Sequence, residues 1–183
     1  IFTKGVVENV LHVDVASLYP SIMLTFKYFP PKDNLGIFQL LLEDLRNFRL
    51  KAKAEVKNAT DPYTREFFDT LQATFKILIN SFYGYLGFSM GHFADFDMAE
   101  ATTSKGREII KKMVQWLQDA GCKLIELDTD GIYFTPPPEI KDTQSEEELV
   151  NKLNDALPEG INLELDGRYK SMFSYCLLYT SPS

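Results

Sequence analysis

Three aspartates raise the first chemical question. Asp14 closes the apolar run VVENVLHVDV at 6–15, and Asp128 and Asp130 flank Thr129 in a turn far along the chain. Carboxylates gathered from separate strands, with no His or Cys in the set, are hard oxygen ligands suited to Mg²⁺. Two such ions about 3.5–4 Å apart activate an attacking hydroxyl and stabilise the leaving oxygen of a phosphoryl transfer. A single Asp in a turn is ordinarily local turn chemistry. These carboxylates therefore need further residues around them before they signify catalysis.

A second group has helical spacing. Lys76, Asn80 and Tyr83 fall at i, i+4 and i+7, along one stripe of a helix. A cation, an amide and an aromatic ring on one face suit a triphosphate at one end and a base pair at the other. Arg49 and Lys53, four residues apart on an earlier helical segment, add two cations. Taken without further context, both sets also fit solvated faces opposite apolar cores.

Periodicity gives the elements that must carry these residues. A strand over 6–15 ends at Asp14, and Pro20 in Ser17-Leu18-Tyr19-Pro20-Ser21 interrupts regular structure. After a loop at 30–34, Phe38, Leu41, Leu42, Leu45, Phe48 and Ala52 keep the steps of an amphipathic helix. Asp61-Pro62 reads as an N-cap and first-turn proline. It opens a helix whose stripe is Phe67, Phe68, Leu71, Phe75, Leu78, Ile79 and Phe82. The short polar turn between these segments predicts an antiparallel helical hairpin, broken by Gly84 and Gly87. A third helix is expected from about Met98 to Leu117, with Ile109, Ile110, Met113, Val114 and Leu117 inward and Gly121 after its end. Strands at Lys123–Leu127 and Ile132–Thr135 then form a hairpin around Asp128-Thr129-Asp130-Gly131. Beyond Pro136-Pro137-Pro138, an acidic helix near Ser145–Ala156 leads into a strand at Asn162–Leu165 and a final extended stretch.

Hydrophobic residues make up 45% of the 183 and aromatics 13%, enough for a sizeable core and against disorder. No apolar run is long enough to span a membrane, so no membrane partner is expected. Cys122 and Cys176 give neither a disulfide framework nor metal spacing, which fits a reducing cytoplasm. The net charge of −7 is unevenly spread. Residues 46–76 hold seven basic and four acidic side chains, whereas 139–166 hold nine acidic and two basic. The chain opens at Ile1 inside what reads as a strand, as a piece of a longer protein would. Cys176–Ser183 break the preceding pattern and read as an artefactual tail of translated adaptor sequence.

Three stretches resemble one family. Asp14-Val15-Ala16-Ser17-Leu18-Tyr19-Pro20-Ser21-Ile22 resembles the first motif of the family B DNA polymerases, D-x-x-S-L-Y-P-S-I. Lys76-Ile77-Leu78-Ile79-Asn80-Ser81-Phe82-Tyr83-Gly84 resembles the second, K-x-x-x-N-S-x-Y-G. Asp128-Thr129-Asp130-Gly131 is similar to the third, D-T-D-G or D-T-D-S. They occur in the family's order, and the resemblance covers roughly residues 8–175.

The resemblance implies an α+β fold: an antiparallel polymerase palm sheet with helices on one face and an inserted antiparallel helical-hairpin fingers subdomain. Its division would be palm at 1–35, fingers at 36–85 and palm again at 86–175. The implied reaction is two-metal nucleotidyl transfer from a dNTP to the 3′-OH of a DNA primer-template, in replication or repair. Two Mg²⁺ ions are the implied cofactors, with Mn²⁺ as a substitute, and a prokaryotic member would work at the nucleoid. Asp14 and Asp130 would hold the metals, with Asp128 assisting and Val15 offering its carbonyl. Backbone N–H groups around Ser17 and Leu18 would meet the triphosphate, and Tyr19 would close against the sugar and exclude ribonucleotides. Arg49 and Lys53 resemble the family's R-x-x-x-K phosphate clamp. Lys76 and Asn80 would also bind nucleotide, and Tyr83 and Gly84 would face the template and minor groove.

The sequence also departs from the pattern. Glu126 stands where many members carry a tyrosine, on the same side as Asp128 by strand alternation. It would add charge near the metals or face solvent. The minor-groove K-x-K-x-Y element is expected after Tyr175, where the foreign-looking tail begins; Arg168, Tyr169 and Lys170 are not that element. By the same resemblance, exonuclease, N-terminal and thumb domains would lie outside this stretch, so the chain itself is expected to be weakly active or inactive. His12 alternates with Asp14 along its strand, which would bring it near the site, but it reads first as a core or edge histidine, and Trp116 as packing. A haloacid-dehalogenase-like phosphatase also uses D-x-D-G after a strand, but that motif opens its domain, and here it comes late. A non-catalytic, nucleic-acid-binding remnant of a polymerase would be expected to have lost carboxylates, and all three are retained.

Overall fold

Strand β1, Gly5–Val15, is buried without a break from Val10 to Val13 and again at Val15, whereas Asp14 is half-buried. The structure, a computed structural model, describes residues 1–175, so the expected artefactual tail lies outside the described residues. Contacts divide the chain into two units, residues 1–16 with those from Arg107 onward, and Ser17–Gly106. The expected boundaries at 35/36 and 85/86 both fall inside the second unit.

The first unit is built on an antiparallel sheet. Strands β2 (Lys123–Leu127), β3 (Gly131–Thr135) and β4 (Leu163–Ser174) join β1 in the order β2-β3-β1-β4. Leu11 lies opposite Phe134 and Val13 opposite Ile132, so one face of the central pair is wholly apolar. Each of these side chains stabilises the fold by roughly 1.5–3 kcal/mol relative to exposure. Register then puts His12 opposite Tyr133 and Asp14 opposite Gly131 on the other face. Helix α5 (Thr143–Asp155) starts at a capping box in which Asp142 accepts from Ser145 N at 2.9 Å. β4 pairs with β1 from Leu163 to Ser174, where a short strand and an extended stretch were expected. Its hydrogen bonds come from β1, and Gly167 and the charged run around it hide the strand from local propensity.

The second unit is helical: α1 (Leu18–Phe26), α2 (Ile37–Asn58), α3 (Pro62–Leu86) and the start of α4 (Phe96–Asp119). Helix α1 corrects the expectation that Pro20 interrupts regular structure. Pro20 lies in the first turn, where its missing N–H has no intrahelical partner to lose. Nor does Gly84 break α3, which continues to Leu86; a glycine near a helix end costs about 1 kcal/mol relative to alanine, too little to stop it. Asp61 caps α3 as expected, accepting from Thr64 N at 2.8 Å.

Phe38 meets Phe82 and Phe48 meets Phe75, at 4.9 and 5.9 Å between ring centroids. Later residues of α2 thus meet earlier residues of α3, which makes the pair antiparallel. Its core is Met23, Phe38, Leu42, Ile79, Leu86 and Ala99. Leu41, Phe48, Phe67 and Leu78 were expected inward and are exposed, because two helices share too narrow a face to cover every apolar residue. Arg49 stands on the inward stripe of α2, between Leu45 and Ala52. Among the described residues, no helix is long and apolar enough to cross a membrane.

Candidate active site

In the sheet unit, the first and third motifs meet through backbone hydrogen bonds. Asp14 lies opposite Gly131, and Val15 N–H donates to the Asp130 carbonyl at 2.9 Å. Asp14 and Asp130 are therefore brought to neighbouring positions on adjacent strands of the sheet, both half-buried, with Asp128 exposed at the turn. Asp128 N–H donates to the Gly131 carbonyl at 2.9 Å and closes the turn between β2 and β3. The Asp128 Oδ1 accepts from Thr129 N at 2.7 Å, so part of this carboxylate serves the turn. Among the described residues, no three His, Cys, Asp or Glu side chains form a cluster shaped for a metal ion.

Sequence reading missed two acids that β4 supplies. Glu164 is the Cα partner of Asp14 across the β1–β4 pair, and directly opposed residues share a face. Asp166 sits at the irregularity of that pair, and its Oδ2 lies 3.2 Å from His12 Nδ1. A carboxylate only accepts, so Nδ1 is the donor. The alternation Leu163-Glu164-Leu165-Asp166 shows two outward acids, but only the pairing reveals which residue they face. The phenol of Tyr133, stacked on His12, has its pKa raised by burial first. The charges of Tyr169, Asp128, Asp166 and Glu126 raise it further. Glu126 thus acts on the same phenol as Asp128, while its Oε2 accepts from Ser174 Oγ at 3.0 Å.

In the helical unit, Ser17 takes the N-cap of α1 with φ +52°, a left-handed conformation unusual for a residue with a side chain. Its hydroxyl makes no capping hydrogen bond and instead accepts from Arg49 Nη1 at 3.0 Å. Arg49 Nε is buried with no hydrogen-bond partner among the described residues. Leu18 is buried, and the Tyr19 ring packs on Tyr83 at 4.4 Å between centroids. One residue from the first motif and one from the second are thereby joined. Gly106 was also missed: a Cβ there would lie 3.3 Å from Tyr19 Cε1, so its lack of a side chain makes room for that ring. Lys53 is half-buried, and Asn80 and Gly84 lie towards the outer faces of α3, with Lys76 on the same helix. A Cβ added at Gly84 would meet nothing within 4 Å.

Known proteins are similar to this chain in sequence and in fold. The model of DNA polymerase family B matches residues 26–174. A DNA polymerase of Thermococcus gorgonarius is 32% identical over 194 aligned residues, covering 93% of this chain and 25% of that protein. One from Archaeoglobus fulgidus is 34% identical over 191, covering 93% and 24%. The chain thus spans about a quarter of the length of the curated relatives it matches. The family B DNA polymerase structure from Pyrobaculum calidifontis superposes with a TM-score of 0.73 over 94% of this chain and 25% of that one, at 22% identity. That likeness extends the match to the mixed helix and antiparallel-sheet fold. With the family model matched over most of its length, the chain belongs to DNA polymerase family B.

Proposed function

We propose that this chain is the catalytic core of a template-directed DNA polymerase, transferring a nucleotide from a dNTP to a primer 3′-OH. The observation that carries the reading is the strand register that sets Asp14 opposite Gly131, with Val15 N–H on the Asp130 carbonyl. An all-carboxylate set on adjacent strands fits hard divalent cations, Mg²⁺ or in its place Mn²⁺. Asp14 and Asp130 would hold two such ions, Asp128 would assist, and the Val15 carbonyl would be a neutral donor. Bound there, the ions supply Lewis-acid stabilisation of the attacking and leaving oxygens.

The helical unit binds and orients the nucleotide. The Ser17 side chain makes no capping hydrogen bond to α1, and the positive end of a helix dipole favours an anion. Arg49, Lys53 and Lys76 neutralise the triphosphate, and the buried, unpartnered Nε of Arg49 is a donor already stripped of water. Tyr19, braced by Tyr83, is a stiff wall against the sugar's 2′ position. Asn80 contributes to nucleotide binding, and Tyr83 and Gly84 face the template and minor groove. The open space at Gly84 supports that assignment, since its own packing needs no glycine.

In this reading the sheet is the palm and the 36–85 hairpin is the fingers, working on DNA in the cytoplasm. The isolated chain extends primers weakly or not at all, because its net charge of −7 opposes the phosphate contacts that dominate DNA affinity. The test uses the full-length parent in primer extension with Mg²⁺. Asp14→Asn or Asp130→Asn should lower kcat by about 10³-fold or more with an unchanged circular dichroism spectrum. Near-normal turnover by either variant rules the assignment out.

A further inference from the structure

Gly131 begins β3 directly opposite Asp14, yet its backbone gives no reason for a glycine. Its φ is not among the positive ones of the chain. The reason is space. A Cβ built at residue 131 would lie 2.6 Å from His12 Nε2, 3.4 Å from His12 Cδ2 and 3.1 Å from the Val13 carbonyl oxygen. Contacts of 2.6 Å are not tolerated between such atoms, so either His12 or the turn would have to move.

His12 is poorly placed to yield. Its ring stacks on Tyr133 with centroids 4.0 Å apart and planes only 7° from parallel. Its Nδ1 is tied to Asp166 Oδ2 at 3.2 Å, and the residue is only 8% exposed. Held on one side by a ring and at one corner by a carboxylate, the imidazole projects its other edge over Gly131. The next residue back is Asp130, whose carbonyl receives Val15 N–H, and the Gly131 carbonyl receives Asp128 N–H. A displacement at 131 would therefore be passed directly to both ends of the carboxylate turn.

We propose that His12 and Gly131 form a size-matched pair, in which the imidazole occupies the room of a side chain at 131 and so positions the turn bearing Asp128 and Asp130. His12 is in this account a positioning residue and touches no substrate. The pairing also links two sequence positions. A serine at 131 requires a smaller residue at 12, and His12 requires glycine. What the turn positions rests on the polymerase reading, whereas the steric pair itself does not.

The test is a double-mutant cycle in the 183-residue chain with His12→Ala, Gly131→Ser and both together. Two local readouts apply: amide exchange at Asp128 and Val15, whose N–H groups hold the turn, and affinity for Mn²⁺ alone by water-proton relaxation. Gly131→Ser should speed exchange at these two amides about tenfold or more and weaken Mn²⁺ binding about fivefold. The double variant should return both to within about threefold of wild type, the close Val13 carbonyl making the rescue incomplete. Gly131→Ala supplies the smaller intrusion if the serine variant does not fold. If Gly131→Ser is as harmful in the His12→Ala background as in the wild type, the pair is overturned. Coupling in exchange without coupling in Mn²⁺ affinity, where Asp130→Asn abolishes that affinity, would reduce His12 to a packing role and overturn the positioning claim. Mn²⁺ binding unchanged by Asp130→Asn would instead count against the metal reading, and the exchange data would then decide the pair.

Discussion

The two units carry their candidate site residues by opposite means. Residues 17–106 hold ten basic and ten acidic side chains, while the rest of the chain holds nine basic and sixteen acidic. The whole net charge of −7 thus belongs to the sheet unit. There the candidate ligands are short, and their places are set by backbone register: Asp14 by pairing with Gly131, Asp130 by its carbonyl bond from Val15. In the helical unit the candidates are long cations and an amide on helix faces, among them Lys76 and Asn80 on α3. A short carboxylate cannot search for its target, so backbone hydrogen bonds must deliver it. A lysine on a flexible stem can adjust when an anion arrives. The comparison predicts that even conservative changes are intolerable at Asp14 and Asp130, whereas losses among the long side chains of the helical unit are graded.

The largest separation should come from the carboxylates themselves. In the full-length parent, Asp128→Asn should cost about tenfold in kcat, against the ~10³-fold or greater loss expected at Asp14 and Asp130. Asp128 is already engaged with Thr129 N, and asparagine can keep that turn contact. Single-turnover kinetics at saturating Mg²⁺ reads the ranking. Equal losses at all three positions would remove the distinction between fixed and turn-serving acids.

A smaller effect, differing in kind, is expected in the helical unit. Tyr19→Ala should reduce discrimination between a matched dNTP and rNTP about 100-fold, measured as the ratio of their kcat/KM values. Lys76→Ala should raise KM for both about tenfold and leave the ratio alone, since the triphosphate is common to them. Loss of discrimination on Lys76→Ala would break the assignment of ring to sugar and cation to phosphate.

What the sequence made legible follows from how local each feature is. The hairpin around Asp128-Thr129-Asp130-Gly131 and the Asp61 cap of α3 depend on neighbours in the chain, and both were visible in composition. The run of β4 depends on β1, more than a hundred residues away in sequence, so Glu164 opposite Asp14 was invisible. Arg49 shows a different limit. Its spacing from Lys53 suggested a polar face, yet it stands on the inward stripe because Ser17 receives its guanidinium. Helical periodicity sorts residues by polarity, and a half-buried cation with a specific acceptor escapes that sorting. The size match between His12 and Gly131 was hidden for the same reason as β4: alternation placed His12 beside Asp14 but gave no distance across the sheet.

The smallest predicted effect tests the units separately, through one helix cap in each. Asp61 in the helical unit and Asp142 in the sheet unit both have pKa values lowered, first by the backbone hydrogen bonds they accept from Thr64 and Ser145. A carboxylate whose folded pKa is depressed contributes stability that is fully present above its unfolded value, near 3.9, and lost as pH falls through the folded value. Near neutral pH, Asp61→Ala should speed amide exchange in the first turns of α3 about fivefold, and Asp142→Ala should do the same in α5. Both carboxylates are exposed, so added salt should shrink the charged part of each effect. In acid, once pH has fallen through each depressed folded value and the wild-type carboxyls are protonated, each variant should approach its parent. Exchange that stays fast in the variants relative to wild type in that acid range would mean that the caps act through shape and not through charge. Faster exchange in α5 on Asp61→Ala, or in α3 on Asp142→Ala, would show that the two units share local stability, and the comparison between them would lose its basis.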